Sequence, residues 1–241
     1  MKLHTLILLL SFSAVTEAQS FGVARHIEAQ IQEAIDSGLI PGAVVQAGHN
    51  GKVVYRKALG SKSLVPSRSP MTEDTIFDVA SLTKVVATTS CVMRLFEEGK
   101  IRIQDPVTKY LPEYQGGKSA ITVRDLLVHF SGLRPDVDLE PRWSGYATGI
   151  RLALVDKPVN PPGQKFVYSD INFLLLGEIV RRVSGKPLDV YAKENFFVPL
   201  GMNDTTYNPS AALLPRIAPT EIEDGKPLHG VVHDPTARYM G

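Results

Sequence analysis

Residues 71–88 read MTEDTIFDVASLTKVVAT, and the reading of FDVASLTK at 77–84 decides the rest. Ser81 precedes Lys84 by one helical turn, at the head of a helix-forming run that continues to Glu98 and stops at Gly99. Side chains at i and i+3 share a helix face, so Lys84 would stand above Ser81. A serine hydroxyl is a weak nucleophile until a base takes its proton. A lysine desolvated or set beside another cation can be that base. The helix N-terminus adds N–H groups that favour a developing oxyanion. Against this stands a plain alternative, an exposed serine and a solvated lysine. An S-x-x-K arises by chance roughly once in a chain of this size, so from these residues alone both readings stay open.

Outward from this stretch, apolar residues Val23, Ile27, Ile31, Ala34 and Ile35 recur at helical spacing and predict a helix ending at Gly38. Two β-rich runs then flank Asn50-Gly51, the signature of a hairpin. Residues 60–75 read as a loop. Downstream the pattern is helical: a short helix from Pro106 capped by Asp105, another capped by Thr122 and stopped at Ser131-Gly132, and one over Tyr146–Val155. A strong helix follows from Asn172 to Gly185, and one more begins at Pro187. Residues 134–145 are irregular, and nothing after Met202 predicts an element. A hairpin is marginal alone and needs further strands or a covering helix.

The 241 residues carry a net charge of +1, with 44% hydrophobic and 21% charged side chains, which suits a packed core. No basic patch supports nucleic-acid binding. The first residues, MKLHTLILLLSFSAVTEAQS, have a basic start, an apolar run from Leu6 to Val15, and small residues Thr16 and Ala18 before a cut ahead of Gln19. Residues 1–18 therefore read as a secretory signal peptide and 19–241 as the mature domain. No later stretch is long and apolar enough to span a bilayer. The expected location is secreted or periplasmic, with no transmembrane domain in the mature chain. Cys91, the single cysteine, lies in an apolar helical run and reads as a buried hydrophobe.

A second candidate is PPGQKFVYSDINFLLLG at 161–177. Asp170 or Ser169 could be the cap of the following helix, and Tyr168 a packed aromatic. Alternatively the Tyr168 phenol shuttles protons between a serine and a lysine. Taken with S-x-x-K, and with PGAVVQAGHNGKVVYRKALG, ITVRDLLVHFSGL and the run to PLGMNDT in order and at matching spacing, the chain resembles the β-lactamase superfamily. Specifically it resembles the branch of class C β-lactamases, D-alanyl-D-alanine carboxypeptidases and related esterases, from about Gly42 to Gly241.

The resemblance implies an α+β fold (an α/β layering in the broad sense), with an antiparallel sheet flanked by helices and a mostly helical subdomain. It implies Ser81 as acylated nucleophile, Lys84 as its activator, Tyr168 as the proton carrier and Asp170 as a substrate-side residue, with no cofactor or metal. The expected substrate is a small molecule or a peptidoglycan-like peptide: a β-lactam, a D-alanyl peptide or an ester. Asp170 departs from the family's Asn. An ionised carboxylate only accepts hydrogen bonds and would favour a charged Lys84, which moves the base's duty toward Tyr168. Asn172 is a candidate to supply the missing amide.

The third motif, K-T-G or a relative, has no match; GKP at 185–187 and 225–227 is not it. The strand that carries it would supply an oxyanion donor worth about 10²–10³ in rate. The domain is thus expected to be incomplete at its C-terminus, with the last strands missing and little activity alone. The rival reading is a catalytically impaired protein that binds peptidoglycan peptides or β-lactams in the same cleft. The i, i+4 pair His229 and His233 reads as loop rather than metal site, since Gly230 and Pro235 oppose a helix there. His233-Asp234 could instead line the cleft. His129 reads as packing and turn formation, Glu97-Glu98 as a solvated face, and Trp143 and Tyr146 as either pocket rim or core. Nothing in the sequence speaks to oligomeric state.

Overall fold

The computed structural model describes residues 24–116 and 121–241. The leader expected over 1–18 lies outside them. The chain divides into two compact units, one formed by residues up to Phe77 with Ala212–Gly230, the other by Asp78–Ala211 with Val231–Gly241.

The first unit opens with helix α1 (24–36), then strands β1 (Gly42–His49) and β2 (Lys52–Ser63), antiparallel with Val45 opposite Lys57. Asn50 and Gly51 both take positive φ, 49° and 72°, the turn whose twist matches the strands it joins. α1 is tied to β2 through Glu28, which accepts from Tyr55 Oη at 3.0 Å and Lys57 Nζ at 2.5 Å. The expected loop over 60–75 is partly strand. β2 runs on to Ser63 because β3 (Ser69–Pro70) gives its last residues a backbone partner, Ser61 facing Pro70. Further on, β4 (Ile222–Glu223) and β5 (Lys226–Pro227) form a minimal hairpin, and Ile76 pairs with Ile217 in a parallel bridge.

The second unit is helical. A π-helical segment, Lys84–Thr89, leads into α2 (Ser90–Glu97); α3 (Val123–Leu127), α4 (Tyr146–Val155), α5 (Asp170–Ser184), α6 (Leu188–Ala192) and α7 (Pro235–Met240) follow. α5 is the hub: α2, α3, α4 and α6 all pack on it. Its Ile171, Leu175, Leu176 and Ile179 are fully buried with Cys91, Val92 and Leu95 of α2 and Leu126 of α3. Each such aliphatic side chain contributes about 1.5–3 kcal/mol by leaving water. Met93 and Phe96 of α2, Val85 and Val86 of the π-helical segment and Leu82 just before it are exposed.

The Thr122 cap is present in full: its hydroxyl accepts from Asp125 N, and Asp125 accepts from Thr122 N. The helix expected from Pro106 shrinks to a 3₁₀ turn, Val107–Lys109. There Val107 N donates to Ile121 O and Val123 N to Asp105 O, tying the turn to the segment before α3, and Pro112, two residues past Tyr110, disfavours helix in the residue before it. Asp105 does not cap; its carboxylate accepts from Lys109 Nζ and Tyr110 Oη. α7 was not foreseen. Pro235 is its first-turn residue and Asp234 its cap, accepting from Ala237 N at 2.7 Å, so a proline that looks like a breaker acts as a start signal.

The chain entering α5 is clamped along residues 129–135. Gly163 N donates to Phe130 O at 2.7 Å, Val167 N to His129 O at 2.9 Å, and Asp170 N to Pro135 O at 2.6 Å. At the centre of this clamp Gly132 has φ +78, and a Cβ built there would lie 1.9 Å from the Asn160 carbonyl oxygen. Gly185, which ends α5 at φ +73, has open space around the same position. Gly185→Ala should therefore cost only the backbone strain, about 1–2 kcal/mol, and Gly132→Ala clearly more. Urea unfolding midpoints of the two variants measure the difference; equal losses would show that the clamp does not depend on close approach.

Candidate active site

Within the second unit, Asp78–Ser81, Lys84 and the entry to α5 come together. Ala80, immediately before Ser81, has φ +47. That left-handed conformation costs a non-glycine residue about 1–2 kcal/mol. Its N–H is held by Asp78 Oδ1 at 2.8 Å. Ser81 is exposed, and Lys84 Nζ donates to its Oγ at 3.1 Å. The same ammonium lies 2.5 Å from Asp170 Oδ1, and 5.1 Å from the centroid of the Tyr168 ring. Lys84 and Asp170 are thus brought together with Ser81, and Tyr168 stands beside them, partly open to solvent.

The charge state of Lys84 follows from these neighbours. Burial, the largest single influence, pulls its pKa down; hydrogen bonding with Asp170 and Tyr168, and their charges, outweigh it and leave the pKa above the ordinary lysine value. At neutral pH Lys84 is therefore an ammonium that donates to Ser81 Oγ. In this resting form it stabilises negative charge and does not accept the serine proton.

Behind Tyr168 lies a buried polar network that the sequence did not disclose. His129 stacks on Tyr168 with ring centroids 4.5 Å apart and adopts φ +60. Its Nδ1 accepts from Ser169 N at 3.1 Å and faces Asn172 Nδ2 at 3.3 Å, so Nδ1 is bare and the hydrogen of the neutral ring sits on Nε2. Ser169 Oγ donates to Arg134 O at 2.6 Å, and Ser131 Oγ donates to Asn172 Oδ1 at 2.6 Å. Ser169 and Asn172 are wholly buried. Asn172 therefore spends its amide inside the network and does not stand in for the family's Asn. Arg134 adds rigidity from its side chain, with Nε on Asp156 at 2.6 Å and its fork on Asp138 at 2.7 and 3.0 Å. The signal for His129 was its place in LLVHFSGL, but only the fold shows what its ring touches.

The remaining candidates separate. Burial pushes the Cys91 thiol up to about 12, so no thiolate forms. Tyr146, exposed, gives its hydroxyl to the buried Glu178 at 2.7 Å, and Trp143 packs against the core and donates to Asp138 O. Glu98 pairs with Arg94 and Lys100 on the surface. His229 Nε2 lies 3.0 Å from the carbonyls of Leu214 and Ile217, whereas His233 lies against Asp78. Among the described residues no cluster of metal-ligating side chains occurs.

The family model described as Beta-lactamase matches residues 27–240. The chain belongs to this family. Among curated relatives, the "Putative D-alanyl-D-alanine carboxypeptidase" of Escherichia coli (strain K12) is 32% identical over 250 residues, covering 92% of this chain and 56% of the relative. Among solved structures, a class C beta-lactamase in complex with cefoxitin matches with a TM-score of 0.76 at 26% identity, covering 92% of this chain and 61% of that one. "EstCE1, a hydrolase with promiscuous acyltransferase activity" matches with a TM-score of 0.76 at 25% identity, covering 88% and 60%. The α+β fold and the resemblance drawn from the two motifs agree with these matches. The chain spans a little over half the length of the curated relatives it matches.

Burial pushes the pKa of His129 below the ordinary histidine value, and the Lys84 charge adds to this. A histidine depressed in the folded state contributes stability that is complete above its unfolded pKa of about 6.5 and is lost as pH falls through the folded value. The urea midpoint should therefore drop between about pH 7.5 and about pH 5. His129→Asn keeps an acceptor near Nδ1, tolerates positive φ and does not titrate, so the drop should shrink. An identical drop in this variant would assign the pH dependence elsewhere.

Proposed function

We propose that this chain carries the acylation machinery of an exported serine hydrolase, with Ser81 as nucleophile. The observation that supports it most is the placement of Lys84 Nζ between Ser81 Oγ and Asp170 Oδ1, with Tyr168 alongside. Ser81 Oγ attacks the substrate carbonyl. Its proton passes to the Tyr168 oxygen as the phenol hydrogen of Tyr168 passes to the leaving amine or alcohol and the C–N or C–O bond breaks. Water then hydrolyses the ester on Ser81. No metal or organic cofactor enters these steps. The names of the relatives favour a D-alanyl peptide, a β-lactam or a carboxylic ester as substrate, either a small molecule or a peptidoglycan-like peptide. Export rests on the sequence of residues 1–18; N-terminal sequencing of secreted material should begin at Gln19.

One observation favours a second reading, a protein that binds such ligands without turnover. The Lys84–Asp170 ion pair keeps Lys84 protonated, which withholds a base from Ser81. A fluorescent penicillin and a fluorophosphonate probe separate the two. Covalent labelling that disappears in Ser81→Ala supports acylation. Absence of labelling in a folded protein that still binds the unreactive ligand favours the binding reading.

The same probes report on Lys84. Removing the negative charge in Asp170→Asn disfavours the ammonium and lowers the Lys84 pKa. Were neutral Lys84 the base, the rising limb of the labelling rate against pH would move to lower pH with it. In the steps above Lys84 stays an ammonium, so the limb should stay in place; a shift to lower pH would make Lys84 the base instead.

A further inference from the structure

The mechanism leaves one carboxylate near Ser81 unused. Asp78 accepts Ala80 N–H on Oδ1 at 2.8 Å, and on Oδ2 it accepts His233 N–H at 3.1 Å, with His233 Nδ1 at 3.0 Å. A carboxylate oxygen can only accept, so His233 Nδ1 carries a hydrogen in this contact. One side chain thus joins the strained turn before Ser81 to a segment 155 residues further along. Both partners are partly withdrawn from solvent, Asp78 more than His233.

The far end of this link is itself anchored. Asp234, the next residue, caps α7 through Ala237 N. Thr236 Oγ1 donates to Asp136 at 2.7 Å, and Gly145 N donates to Tyr239 O at 2.6 Å. Burial raises the pKa of Asp78, but its bonds with His233 and Ala80 prevail and hold it below the ordinary carboxylate value, so the acceptor is ionised at neutral pH. The turn needs such support. Without a held N–H, Ala80 can relax from the left-handed region, and the peptide that aims Ser81 turns with it.

We infer that Asp78 and His233 form a brace for the nucleophile turn, His233 being a positioning residue that acts on Ser81 through Asp78 and Ala80. The inference rests on the reading of Ser81 as nucleophile, and two readouts keep the two apart. The first is amide hydrogen exchange at Ala80, followed by NMR, which needs no activity. Ala80 should be protected in the wild-type chain and in His233→Asn, whose amide can donate near the Nδ1 position, and should exchange at least about tenfold faster in His233→Ala, since an amide with an accepting partner is released only by opening. The second is the rate of probe labelling at Ser81. It should fall about a hundredfold in His233→Ala, the scale set by a misplacement of about 1 Å, and recover in His233→Asn. Asp78→Asn, which keeps size and volume, repeats the test if His233→Ala does not fold.

Unchanged exchange at Ala80 in His233→Ala overturns the brace, whatever happens at Ser81. Faster exchange with equal labelling rates overturns the positioning role. Faster exchange in a protein whose Ser81 takes no probe in any form supports the brace and overturns acylation instead.

Discussion

The Ser169 amide hydrogen falls on Nδ1 of His129, and the Ser169 hydroxyl falls on the carbonyl of Arg134. These two bonds fix a residue that is itself buried and chemically idle, yet its neighbours on either side are Tyr168 and Asp170. Because a strand-like entry sends successive side chains to opposite sides, holding Ser169 inward turns both neighbours toward Lys84. The ion pair, the stacking on His129 and the helix start of α5 all descend from that constraint. Had Ser169 been left without partners, a buried donor and hydroxyl would have cost about 1–3 kcal/mol each.

What the sequence disclosed was what depends on near neighbours. The α5 and α4 helices were readable from their apolar periodicity, the hairpin from Asn50-Gly51, and the α3 cap from Thr122. Ser81 and Lys84 were readable because they are one turn apart. The features that escaped depend on residues far away in the chain. β2 extends to Ser63 because β3 meets it, and the turn after Pro106 is tied to Ile121 and Val123 further along the chain. His129 and Asn172 sit 43 residues apart, and Asp78 and His233 155 apart, so no spacing rule reaches them. Asp170 was singled out only by contrast with a family pattern, and its bond to Lys84 is what gives that contrast physical content.

The resting site is electrostatically settled: an ammonium, a carboxylate and an aromatic face close around one hydroxyl. Such a site is stable because each charge has a partner, and for that reason it is not poised to move a proton until a substrate redistributes those partners. Catalysis in this arrangement would draw on the difference between resting and bound hydrogen bonding more than on an intrinsically strong base. Two residues in left-handed backbone, Ala80 and His129, lie on either side of this cluster. Strain of this kind persists only where the surroundings over-determine it: His129 is held by Val167 and Ser169 from another segment, and Ala80 by its neighbour Asp78, which is itself tied to His233.

The close approach of α4 and α7 shows how far that pinning extends. A Cβ built on Gly149 would stand 2.7 Å from Met240 Cγ, so the two helices touch through a missing methyl group. Glycine is a poor helix residue, weaker than alanine by about 1 kcal/mol, and α4 accepts that local loss so that α7 can seat. α7 in turn begins at Asp234, next to His233. The exchange that any helix-propensity scale would recommend at position 149 is therefore the one that would disturb a serine reached only through α7, Asp78 and Ala80. In this fold, optimising one helix by itself and keeping Ser81 held in place are competing demands.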